Sequence, residues 1–220
     1  MSLTLYYHPL ASFCWKTLIA LYENETPFAP VIVDLGNAES KAAFLKVWPV
    51  GKFPVLRDTA RDRTIPESTI INEYLAQHYP GKVELLPADR DTALQVRLGD
   101  RFYDHYVQEP MQKIVGDRLR PSGKTDPYGV ELARAEILSS YDIIGAEMAD
   151  RQWATGDAYT LADCAASPAL FYANKVQPFG DGHKNVAAYL DRLMQRPSFI
   201  RVIEEAGPYF KLFPIKPEEN

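Results

Sequence analysis

The chain has 220 residues, room for one large domain or two ordinary ones, and its 46% hydrophobic and 24% charged residues are normal for a soluble globular protein. A net charge of −5 without a basic stripe argues against a nucleic-acid binder. No long apolar run and no charged-then-apolar N-terminal segment stands in the sequence, so neither a membrane span nor a signal peptide is expected.

Leu3–Tyr7 reads as a strand, ended by His8-Pro9. From Ser12 to Glu23, Phe13, Trp15, Leu18, Ile19 and Tyr22 recur at helical spacing, and Ser12 is placed to cap that helix. Phe28–Val33 is a second strand. A helix between two strands implies a parallel βαβ unit. Glu39–Val47 is a short helix stopped before Trp48-Pro49. Then come a strand over Pro54–Arg57, a polar turn through Asp58–Asp62, a return strand near Arg63–Ile65 and a helix over Glu67–His78. Residues 1–80 therefore predict one mixed sheet with helices, βαβ followed by ββα.

Residues 81–90 carry Gly81, Pro87 and charges and read as a linker. Beyond it no strand is predicted. A long helix from Asp91 to about Asp117 contains Pro110, which should kink or divide it. Tyr128–Arg151 is a second long helix, and Thr160-Leu-Ala-Asp163 is a capping box opening a third. Residues 184–195 and 198–206 make two more, and the Pro-rich last ten residues should trace the surface. Cys14 and Cys164 lie far apart without metal-ligand spacing, so two free thiols in a reducing compartment, and no metal, are expected.

The chemistry concentrates between Trp48 and Leu75. In Gly51-Lys52-Phe53-Pro54-Val55-Leu56 a proline opens a short apolar strand, where it removes no central ladder bond. In Pro66-Glu67-Ser68 an acidic residue and a hydroxyl stand at a helix start, whose free N–H groups favour anions. Together they suit a small peptide-like ligand.

These two stretches and Tyr159-Thr-Leu-Ala-Asp163, in this order and spacing, resemble the soluble glutathione transferase family along essentially the whole chain. The resemblance implies a thioredoxin-like domain over 1–80 and an all-helical domain over 91–220 that contributes the electrophile's pocket, in a cytoplasmic homodimer with no nucleic-acid or membrane partner. Its co-substrate would be glutathione, activated as the thiolate and conjugated to small electrophiles. Isomerisation, dehalogenation or thiol reduction on the same site are alternatives, as is a non-catalytic glutathione-binding relative.

Residue by residue, the resemblance implies that Pro54 is cis and that the Phe53 backbone pairs with glutathione's cysteinyl unit, as an added strand pairs with a sheet edge. Glu67 takes the γ-glutamyl ammonium, and Ser68 with the helix start takes its α-carboxylate. Lys52 is a partner for the glycyl end. Relatives place a working Ser or Cys just before the first helix. The ungapped match to this chain's Pro9-Leu10-Ala11-Ser12-Phe13-Cys14 puts that position on Ala11, a departure from the pattern. Three residues remain as activators of the thiol, in the order Ser12, Cys14, Tyr7. Each has another role open to it: Ser12 as helix cap, Cys14 as a small buried apolar residue, Tyr7 as core packing. Phe102, Tyr103, Tyr106 and Met111 mark the region expected to line the electrophile's pocket.

Overall fold

A computed structural model describes residues 2–214. Residues 215–220, most of the Pro-rich end, lie outside the described part.

The N-terminal part is a four-stranded sheet in the order β2-β1-β3-β4, from β1 (Leu3–Tyr7), β2 (Ala29–Ile32), β3 (Val55–Asp58) and β4 (Arg63–Pro66). β1 pairs with β2 in parallel, Thr4 opposite Ala29, and with β3 antiparallel, Leu5 opposite Leu56. Three helices belong to this sheet: α1 (Ser12–Glu23), α2 (Ala38–Val47) and α3 (Ser68–His78). Alternation along β1 sends Leu3, Leu5 and Tyr7 into the main core, while Tyr6 meets Phe44 of α2 on the other face.

The rest is helical: α4 (Arg90–Phe102), α5 (Glu109–Arg118), α6 (Pro127–Glu147), α7 (Leu161–Val176), α8 (Lys184–Met194) and α9 (Pro197–Ala206), with 3-10 turns at Asp181–His183 and Gly207–Leu212. α7 opens on the expected box. The Asp163 carboxylate accepts the Thr160 N–H at 2.8 Å, the Ala154 N–H at 2.8 Å and the Tyr189 hydroxyl at 2.6 Å. None of these helices is long and apolar enough to cross a membrane, among the described residues.

The helix expected over 91–117 is continuous, and its irregularity precedes the proline. Tyr103–Gln108 is a π-helical segment between α4 and α5, and Pro110 sits in the first turn of α5. A proline cannot bond the carbonyl four residues back, here that of Tyr106. The Ser140 hydroxyl of α6 donates to that carbonyl at 2.8 Å, so the wider turn leaves no orphan there.

α1 lies between the sheet and the helical part. Nine of its twelve residues are buried, which suits a helix covered on all sides. Trp15, fully buried, packs against Tyr172, Phe171 and Phe199 with ring centroids 4.8, 5.1 and 5.9 Å away, and its indole N–H donates to the Pro9 carbonyl. Lys16, 1% exposed, places its ammonium 2.7 Å from carboxylates of both Asp100 and Asp104. A buried cation of this kind requires such partners.

Candidate active site

A cleft of about 540 Å³ opens between the sheet part and the α4–α5 wall. Lys52, Phe53, Pro54, Glu67 and Ser68, the residues expected to hold the tripeptide, all line it. The β3–β4 ladder ends at the pair Val55 and Pro66, so Phe53 lies beyond the last strand partner. The Phe53–Pro54 peptide is cis.

Glu67 is the N-cap of α3 at φ 68°, a left-handed backbone that few residues with a side chain adopt. Such strain concentrates at functional sites. The first bond of α3 runs from the Ile71 N–H to the Glu67 carbonyl, 2.8 Å. The N–H groups of Ser68, Thr69 and Ile70 therefore precede the helical ladder, and all three residues line the cleft. That is a ready anion site.

Behind it stands a charged cluster that local patterns in the sequence do not reveal. The Thr69 hydroxyl accepts from the Lys16 ammonium at 2.8 Å and donates to Asp100 at 2.8 Å. Arg101 bonds Asp100 at 2.8 Å and also meets Asp104 and Thr69. Burial works against the Arg101 charge, but Asp100, Asp104 and nearby Glu67 outweigh it and hold the guanidinium more firmly protonated. Burial raises the Asp104 carboxyl, against the pull of Lys16. The available signal was a lysine on the apolar face of α1 and acidic residues spaced four apart, at 100 and 104.

The reacting end differs from expectation. Ala11, not Ser12, is the N-cap of α1, because the extended backbone a cap needs (φ −79°, ψ 115°) falls on Ala11. Ser12 is the first helical residue. Its hydroxyl accepts a hydrogen bond from the Gln108 side chain, across from the π segment. Ser12 is 5% exposed, and its neighbour Phe13 is the α1 residue that faces the cleft.

Cys14 is wholly buried. Burial pushes its thiol up, against a lowering contribution from the His8 backbone N–H, so it has the features of a packed residue and not of an exposed thiolate. Tyr7 lies in the core. Burial first, and then the Glu205 carboxylate, raise its hydroxyl. The structure thus brings none of Ser12, Cys14 and Tyr7 into the cleft lining. What the α1 start does present is backbone: its first bonds run from the Cys14 and Trp15 N–H groups to the Ala11 carbonyl, so the N–H groups of Ser12 and Phe13 precede the ladder.

The wall facing Phe13 and Phe53 also departs from the aromatic lining expected. Tyr103 and Met111 are core residues, and Tyr106 is 53% exposed. Phe102 and Tyr103 line a second, smaller cavity of about 290 Å³ beside Glu147 and Arg151. Arg101, Asp104, His105, Glu109 and Gln112 form the wall instead. No cluster of three or more His, Cys, Asp or Glu residues suited to a metal occurs among the described residues.

A thioredoxin-like sheet domain whose third helix opens onto a cleft shared with an all-helical domain defines a two-domain glutathione-transferase architecture. The comparisons agree. The family model for the glutathione S-transferase N-terminal domain matches residues 5–83, and that for the C-terminal domain matches residues 127–192. Glutathione S-transferase 3 of Zea mays is 31% identical over 210 residues, covering 91% of this chain and 93% of its own. Glutathione S-transferase F6 of Arabidopsis thaliana is 28% identical, covering 89% and 96%. A solved glutathione S-transferase of Methylobacterium radiotolerans, in complex with glutathione sulfonate, superposes with a TM-score of 0.78 at 26% identity, covering 99% of this chain and 97% of its own. The chain belongs to the glutathione S-transferase family.

Proposed function

We propose that the cleft binds glutathione extended from the Phe53 edge to the α3 start, and that the chain transfers its sulfur to small electrophiles as a glutathione transferase. The observation that carries this reading is the meeting, in one cleft, of Lys52, Phe53 and Pro54 with the free N–H groups of Ser68–Ile70 and with Phe13 at the α1 start. Glu67 takes the γ-glutamyl ammonium. Ser68 and the α3 N–H groups take its carboxylate, and Lys52 the glycyl carboxylate. The Phe53 backbone meets the cysteinyl unit.

The sulfur then lies toward the first turn of α1. There the N–H groups of Ser12 and Phe13 and the helix dipole favour thiolate over thiol. The Ser12 hydroxyl, which accepts from Gln108 and keeps its own proton to donate, belongs to that turn. The thiolate is the nucleophile. Ile70 of α3 and Leu94 and Leu98 of α4 are each more than half exposed, and such apolar exposure supports the expected two-fold association.

Calorimetric titration with glutathione tests the placement. Glu67→Ala or Ser68→Ala should weaken binding by about 10–100-fold, the loss of a hydrogen bond to a charged group, with the far-ultraviolet spectrum unchanged. Undiminished affinity in both variants removes glutathione from this helix start.

A further inference from the structure

The cleft wall opposite the glutathione residues carries a histidine–carboxylate pair that the binding of glutathione does not use. His105 Nδ1 lies 2.8 Å from Glu109 Oε1, and both side chains line the cleft. A carboxylate accepts and does not donate, so Nδ1 carries the hydrogen in that bond. The other ring nitrogen, Nε2, has no protein partner among the described residues. An imidazole oriented in this way leaves Nε2 as the ring position open for proton exchange.

Its position is set by the same helical turn that grips α1. Asp104, which also lines the cleft, bonds Lys16 of α1 and Gln108 bonds Ser12, while His105 and Glu109, each one residue along, line the cleft. The pair is therefore held in register with the start of α1, where the proposed thiolate sits. The polar character of this wall, with Gln112 one turn further on, suits an electrophile on which charge develops at oxygen.

We propose that His105, oriented by Glu109, donates a proton to the electrophile, and that the favoured substrates are those whose oxygen gains a proton as sulfur adds: epoxides and α,β-unsaturated carbonyls. The proposal rests on the transferase reading above. With an epoxide, the thiolate attacks a ring carbon and the C–S bond forms. The C–O bond breaks with its electron pair passing to oxygen, and the Nε2 proton of the imidazolium moves to that oxygen to give the alcohol. With an unsaturated carbonyl, sulfur adds at the β-carbon and the π electrons shift onto the carbonyl oxygen. That oxygen takes the same proton, and the enol then relaxes to the ketone. The ring regains its proton from solvent. Displacement of chloride from an aromatic ring needs no such proton, because chloride leaves with the bonding pair.

That contrast is the test. Rates with styrene oxide, with an α,β-unsaturated ketone and with a chlorodinitrobenzene are measured for the parent protein, His105→Gln and Glu109→Gln, alongside glutathione affinity. For His105→Gln, the ratio of epoxide to chloride-displacement kcat/KM should fall about 100-fold, within the range of general acid catalysis. Glu109→Gln, which keeps an acceptor but loses the charge, should lower the ratio less. An unchanged ratio in His105→Gln, or a parent protein that turns over the chloroarene but neither oxygen electrophile, overturns the proposal while leaving the transferase reading intact. A parent protein that binds glutathione but conjugates none of the three fails the transferase reading itself.

Discussion

The two ends of the glutathione cleft are built differently. At the binding end, Lys52, Phe53 and Pro54 and then Glu67 and Ser68 come from two short stretches joined by one hairpin, and all five line the cleft. At the thiol end, the three residues singled out part company: Ser12 turns to Gln108, and Cys14 and Tyr7 enter the core. The five residues of the binding end are close in sequence, drawn from one hairpin and the helix start that follows it. The α1 start, by contrast, is set by its docking against the helical part, through Ser12–Gln108 and Lys16–Asp104.

The hardest break falls on that docking. Lys16→Met should leave Asp100 and Asp104 with Arg101 as their one remaining cation among the described residues and lower stability by up to about 3–5 kcal/mol, the usual cost of removing one partner from a buried pair. Denaturant titration reads it. An effect no larger than that of a surface lysine would mean that the two domains meet without this ion pair.

Ser12→Ala sharpens the contrast further. If the hydroxyl donates to sulfur, the thiol of bound glutathione should titrate at higher pH and kcat should fall by about 10–100-fold. Gln108→Leu should shift both in the same direction by less, since it frees the hydroxyl without removing it. A thiolate absorbance titration that does not move in either variant would leave activation to the backbone N–H groups alone, which is how a chain with Ala11 at its helix cap can still ionise a thiol.

The smallest effect belongs to the sheet. Burial opposes ionisation of Asp58, but hydrogen bonds from the Tyr79 and Tyr74 hydroxyls and the Ala60 N–H outweigh it, and the carboxyl is held below its usual range. A depressed folded pKa stabilises the protein above the carboxyl's unfolded value, and that stabilisation is lost as pH falls through the folded one. Asp58→Asn should therefore be less stable at neutral pH, with a flatter loss of stability below about pH 4. A parallel acid limb in the two proteins would assign that slope to other carboxylates.

Sequence periodicity carried the strand and helix order, the parallel βαβ unit and the capping box at Thr160 because each depends on residues a few positions apart. The five residues expected at the binding end share one cleft lining, and they too lie within a short stretch of chain. Ser12 was misplaced as a cap by one residue, since the choice between Ala11 and Ser12 is decided by backbone direction out of β1 and not by hydroxyl content. The π segment at Tyr103–Gln108 was not legible, because its stabilising contact, Ser140 to the Tyr106 carbonyl, comes from another helix. Lys16 with Asp104, and Ser12 with Gln108, join residues 88 and 96 positions apart. No local pattern announces such pairs.

The burial of α1 on every side has a consequence for how the chain comes apart. Trp15 completes the aromatic cluster of α7 and α9, so the N-terminal fold cannot detach without baring that ring and stranding the Lys16 charge. Local opening that stays below the global transition has no route to the amides of α1. They should be among the last in the molecule to exchange with deuterium, so the helix whose Phe13 faces the cleft is also one of the slowest clocks in the fold.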